Sequence, residues 1–515
     1  MTSLLRRLAS PLRQSGTQVG TRYNFWNTTP KHLSETSEQK ALFSTKDTDI
    51  RFGTGFSQAD TLAEGITDVL SEALGQLRGA PPHLCQVMVS SSYPNSHLAP
   101  LFVQELLTAF GPAPHVIGGV VPGCIGGDQH SFKPKNTSIS LILASLPGVD
   151  FMPFAVKSSS LPDLGEENWM SLVNPCARFK GQSLATIVLA MPEFVDEVEP
   201  FLFRLHTALP QNKLIGGIVG RSREDISSED NIRPGIRGGL FLGTDTYLEG
   251  AVGLMMRGDF ELDTLSMQAC RRVGPVMKVT DVDDDTVLEL DQQPALDKLQ
   301  QVHSSLPRQD RTLPWKVGIL ESTSSEHKNM LCRNFEADHM QSGFSVSGGD
   351  LRVGSGVQMV LYDRRWSRRE LRDGLKKYVL QEGETPATPD DALEGFTTQK
   401  VAPAEAETAT GKQPSNTGAM VYTWINGSRT EAPSFSAAIP QVPLQGGFMQ
   451  AAIGPLEQGG PSYLHMYGSS FGVFRAKARD INAEALEDGV KVTTDTCENG
   501  RDLIADNCSQ LAASE

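Results

Sequence analysis

The 515-residue chain has few cysteines. Its seven (Cys85, Cys124, Cys176, Cys270, Cys332, Cys497 and Cys508) contain no CxxC pair and are odd in number. That reads as reduced thiols in a reducing compartment rather than a disulfide frame. No apolar run is long enough to cross a bilayer; the strongest, Leu184 to Met191, is strand-sized. There is no GKS/GKT phosphate loop, no GxGxxG following a strand, no HExxH and no Cys/His zinc spacing, and the ten histidines are scattered. No metal site, cofactor site or catalytic base is therefore expected. "DVDDDTVLELDQ" (Asp281 to Gln292) carries Asp281, Asp283 and Asp285 like a calcium loop. It has Thr286 where that loop needs Gly and Gln292 where it needs Glu, so it reads as a solvated acidic turn.

Acids are missing from one end. None precedes Glu35, whereas Arg6, Arg7, Arg13, Arg22, Lys31 and Lys40 are all basic. Leu4, Leu5, Leu8 and Leu12 share one helical face beside arginines. This pattern predicts a mitochondrial transit peptide over 1–45, with a disordered basic tail in a cytoplasmic protein as the alternative. The formal charge of the whole chain is −15. The body beyond the leader is more acidic still, and such a body repels phosphate backbones, so nucleic acid is not an expected partner.

What is present is a repeated order of elements. "CQVMVSSSY" is a strand, "LAPLFVQELLTAF" a helix, "HVIGGVVPG" a strand running into a glycine pair, and "SISLILASL" a strand. "SLATIVLAM", "VEPFLFRLHTAL" and "KLIGGIVGR" repeat that order, and "GGLFLGT" and "GAVGLMMRG" then read as paired strands. A helix preceding the first strand is expected to be capped at Ser57, and a further helix is expected over Leu290 to Leu306. The expected fold is α/β (mixed α+β). Two duplicated strand–helix–strand units (52–150 and 176–262) build an N-terminal part over 46–310. A C-terminal α/β domain over 311–475 follows, with sheets flanked by helices. Residues 381–418 read as a disordered insertion and 476–515 as an acidic tail. "PLQGGFM" is a third apolar-to-GlyGly junction.

The chain resembles the FIST family of sensory domains, which have N-terminal and C-terminal parts. The matching phrases, in the family's order, are "HVIGGVVPGCIGG", "KLIGGIVG", "LEGAVGLMMRGDFELDTLSMQACRRVGP", "LELDQQPALDKL", "VPLQGGFMQAAIGP" and "YLHMYGSSFGVF". The resemblance implies a non-catalytic sensor of a small ligand, with amino acids proposed. It also implies, from relatives that follow an F-box, a protein–protein adaptor linked to ubiquitin ligation. No F-box-like segment fits in residues 1–50. The family's Gly-Glu-Ile-Gly-Pro is Ala451-Ala452-Ile453-Gly454-Pro455 here, so no role of that Glu carries over.

The candidate ligand-binding residues are Gly118, Gly119, Gly216, Gly217, Gly446, Gly447, Arg271 and His465. Glycine pairs bare the main chain and can form an anion nest in a cleft between the two parts; the alternative is tight packing. Arg271 can fork onto a carboxylate or pair with an acid of the chain. His465 can meet a ligand or be a satisfied core histidine. Cys270, beside two arginines, is either an activated thiol or a buried inert one. "RRWSRRELRDGLKK" is a basic helix, opened by a Ser367/Glu370 capping box, that meets an acidic partner or a lipid surface or is simply solvated. Ser470 in "GSSFG" fits a nucleophile elbow but has no downstream histidine.

Overall fold

The computed structural model of the chain describes residues 49–108, 112–126, 129–131, 136–157, 183–220, 239–284, 286–320, 330–340, 342–346, 351–381, 416–424, 442, 444–456 and 460–477. The expected leader lies outside these residues, as do the acidic tail from 478 onward and most of the expected insertion. At the ends of that insertion, Gln381 closes a helix and Thr417 opens a strand.

Alternating side chains explain how the first sheet is buried on both faces. In the strand Leu84–Ser90, Leu84 and Met88 face a central core, while Cys85, Val87 and Val89 face the helices Leu62–Leu77 and Ala99–Thr108. An all-apolar strand of this kind is stable only between two layers. Leu84–Ser90 runs parallel to His115–Val121, a pairing that needs a crossover, and Ala99–Thr108 provides it. On its other side Leu84–Ser90 pairs antiparallel with Ile139–Ser145, which pairs with Arg51–Ser57.

The second sheet repeats this order with Asp150–Val156, Ala251–Gly258, Ser183–Ala190 and Lys213–Ile218, and the helix Val195–Ala208 is its crossover. A third sheet repeats it again with Phe260–Gln268, Gly468–Ala476, Thr417–Trp424 and Leu444–Met449, the last two parallel. The glycine pair occupies the same strand in all three copies. One core joins their inner faces, drawing on Met88, Ile117, Ile187, Ile215, Met420 and Phe474 among others.

The copies are also laced together. After each glycine-pair strand the chain makes a short hairpin, and that hairpin extends a neighbour's sheet. Cys124–Gly126 with Gln129–Ser131 joins the third sheet beside Leu444–Met449. Leu240–Leu242 with Asp245–Tyr247 joins the first beside His115–Val121. Ala451–Pro455 with Ser462–His465 joins the second beside Lys213–Ile218. The exchange is cyclic, so each sheet is completed by another copy.

The third copy differs from the others in one respect. Between its first strand and its helix Arg364–Gln381 lies an antiparallel sheet over 270–362, with the helix Ala295–Ser305 on it and its own core around Met277, Val317, Phe344 and Met359. This arrangement changes several sequence expectations. The boundary expected at 310/311 falls inside the inserted sheet, before the strand Trp315–Leu320. The second copy begins at Asp150 and the third at Phe260. Leu240–Leu242 does not pair with Ala251–Gly258; they lie in different sheets. Thr61 rather than Ser57 caps Leu62–Leu77, its hydroxyl accepting from Glu64 N. The helix expected over 290–306 starts only at Ala295, because Glu289 and Leu290 pair with Pro294 and Gln293 across a tight turn.

Candidate functional site

The glycine pairs converge, but on a filled centre. A Cβ on the first glycine of each pair would collide with the carbonyl of the facing strand: Gly118 with Val87, Gly216 with Val188 and Gly446 with Val421. The second glycine meets the next copy. A Cβ on Gly119 would lie 3.0 Å from Val219, one on Gly217 3.0 Å from Met449, and one on Gly447 3.2 Å from Val121. These three neighbours are equivalent positions, so the contacts form a ring around a pseudo-threefold centre. The pairs exist so that three sheets can approach closely. They do not face the hollow expected of an anion nest.

His465 is fully buried in the hairpin that completes the second sheet. Its Nε2 donates to the Gly454 carbonyl at 2.9 Å and its Nδ1 accepts from the Gln268 amide at 2.6 Å. Burial pushes its pKa down to about 4 against the effect of the Gly454 hydrogen bond, so the ring is neutral and both nitrogens are used. Next to it lies a side chain the sequence reading passed over. Arg333 is 1% exposed, donates to the Leu464 carbonyl at 2.7 Å and is ion-paired with Glu199 of the second copy. Burial outweighs Arg333 and holds the Glu199 carboxyl above the usual carboxylate range.

Two further candidates close. Ser470 is fully buried in the middle of the strand Gly468–Ala476, its Oγ 3.3 Å from that of Ser266, so it sits on no exposed elbow. Cys270 is buried against Cys332, and that contact, with desolvation, raises its thiol pKa well above the usual value. It is the inert alternative. Asp281 and Asp283 belong to the strand Cys270–Asp283, and Asp285 lies outside the described residues.

Arg271 is different. It stands near the start of the inserted sheet, where that sheet meets the helix Arg364–Gln381, and a cleft of about 370 Å³ opens there. Its guanidinium bridges Asp310 (2.8 Å) and Asp363 (3.6 Å). Asp363 also caps the helix, its Oδ1 accepting from Arg365 N at 2.9 Å and Trp366 N at 3.3 Å. Ser367, the expected cap, is instead buried one turn in. Gln309, Arg365, Arg369 and the half-buried Trp366 complete the walls. The cleft therefore offers two carboxylates held around one guanidinium, two further guanidinium groups and an indole. Asp310 and Asp363 were not legible as site residues, since only the fold brings them to Arg271.

Residues 83–293 match the family model of the FIST N domain. The chain therefore contains a region similar to the FIST N domain. No curated protein matches it. FIST domains are sensory domains of signal transduction rather than catalytic ones. The matched span runs from the strand Leu84–Ser90 of the first copy, through the whole second copy, into the inserted sheet of the third. No described helix is long and apolar enough to cross a membrane.

Proposed function

We propose that this protein is a non-catalytic sensor whose ligand, an amino acid or another small carboxylate, binds in the Arg271 cleft. The observation that carries the reading is the charge arrangement. A cleft of about 370 Å³ is of the size that holds a small molecule. Arg365 and Arg369 are exposed on its wall and suit a carboxylate, while Asp310 and Asp363 suit an ammonium group. Trp366 supplies the apolar surface against which a side chain packs. The cleft also lies at the seam between the inserted sheet and the threefold body, so an occupant touches both.

The test is a thermal-shift screen of amino acids and organic acids on the full chain. Stabilisation by at least one of them, lost in Arg365→Ala/Arg369→Ala, is the expected result. No shift with any acid overturns the reading. Mitochondrial targeting by residues 1–45 belongs to the same proposal, because their composition is that of a matrix leader. A fluorescent tag after Glu515 reports it, and diffuse cytoplasmic signal overturns it.

A further inference from the structure

The chain carries a formal charge of −15, yet one helix is strongly basic. Arg364–Gln381 holds seven Lys and Arg residues against Glu370 and Asp373. Successive residues of an α-helix are turned by about 100°, so Arg365, Arg368, Arg369 and Arg372 gather on one side. All four are exposed. The opposite side is fixed to the body: Leu371 and Leu375 are buried with Phe471 and Val473, and Gly374 rests on Met267. Arg372 meets only partial local neutralisation from its neighbour Asp373, at 3.2 Å. Four guanidinium groups at one place, held by a helix packed onto the body, concentrate positive potential on a chain whose net charge is negative.

We infer that this arginine face docks an acidic peptide segment of a protein partner, with one carboxylate of the segment seated in the Arg271 cleft. Charge complementarity selects the occupant. Carboxylates spaced along an extended segment can each take a guanidinium, and bidentate Arg–carboxylate pairs add geometric specificity. An anionic bilayer fits less well, because Leu371 and Leu375 point inward to the body. Arg365 and Arg369 belong both to this face and to the cleft wall, so a small acid in the cleft and an acidic partner on the face compete for the same two groups. The docking stands apart from the sensor reading; only this competition rests on it.

The experiment follows the fluorescence anisotropy of a labelled decaglutamate peptide added to the full chain. Saturable binding is expected at low salt, weakened about tenfold by 300 mM NaCl, as for a contact made of exposed charges. Arg368→Glu/Arg372→Glu, which leaves the cleft residues in place, should weaken binding at least about tenfold with an unchanged melting temperature. The same reversal on the first copy, Arg78→Glu, should leave binding as it was. Absence of binding, equal loss in Arg78→Glu, or binding to phosphatidylserine vesicles without binding to the peptide overturns the inference. If small acids stabilise the protein but the peptide does not bind, the partner falls and the sensor stands. If the peptide binds but no acid stabilises, the sensor falls and the partner stands.

Discussion

The first and third copies share a strand order and differ in what covers their outer face. In the first, the helices Leu62–Leu77 and Ala99–Thr108 seal the sheet with Ile66, Val69, Ala73, Val103 and Leu107. In the third, the inserted sheet enters between the first strand and the helix, and the helix is left as a seam between two bodies. Helices seal the sheets of both copies with apolar residues, Leu371 and Leu375 in the third, but only the third copy's helix also meets an inserted sheet, at Arg271, Asp310 and Asp363. The inserted sheet joins the body partly through apolar residues, among them Met330, Cys332 and Tyr467, and partly through the polar groups at Arg271. The candidate cleft lies where the threefold repetition breaks.

The comparison can be tested, beginning with the largest expected effect. Arg333 and Glu199 tie the inserted sheet to the second copy. Arg333→Met removes the buried guanidinium, leaves the partly buried Glu199 carboxylate without its partner and should cost about 3 kcal/mol in urea unfolding. Burial already raises the Glu199 pKa in the folded state. Raising it further favours the protonated fold, so the deficit should be fully expressed at pH 8 and shrink as the pH falls through the carboxylate range. A deficit independent of pH would mean that the pair does not set the cost.

Next, if the copies are equivalent at the centre, Gly118→Ala, Gly216→Ala and Gly446→Ala should each cost about 3 kcal/mol, since each forces a Cβ into a carbonyl. A mild effect at Gly446 alone would show that the third copy is loosely joined. A comparable effect is expected from His465. Its folded pKa of about 4 lies below the ordinary value near 6.5. The fold therefore favours the neutral ring: its contribution is present above about pH 6.5 and is lost as the pH falls toward 4, on the order of 3 kcal/mol in all. Wild type should lose stability over that window more steeply than His465→Gln, as followed by denaturant midpoints at stepped pH. The smallest effect belongs to the seam. Arg271→Ala leaves Asp310 and Asp363 facing each other at a partly solvated position and should cost about 1–2 kcal/mol. A larger loss would make the ion pairs a main support of the inserted sheet.

Several elements were legible because their signals are local. The period of Leu62, Ile66, Val69 and Leu70 marks a helix, and continuous apolar runs such as "SLATIVLAM" mark buried strands. The glycine pairs were legible as a repeat, but their surroundings were not. Gly217 is filled by Met449, a residue far along the chain in another copy. Asp310 gave no signal at all, since nothing near it in sequence points to Arg271.

The sequence alone determined the alternation of strands and helices, the doubled order of the first two copies and the basic character of one helix, because periodicity and composition act within a few turns of chain. The tertiary structure decided that there are three copies, that their hairpins are exchanged in a ring, that the glycines meet in a packed centre, and that the Arg271 guanidinium finds two carboxylates where the inserted sheet meets the helix Arg364–Gln381. Those outcomes depend on strand pairings between distant segments, and pairing energy between distant segments leaves no mark on either segment read alone.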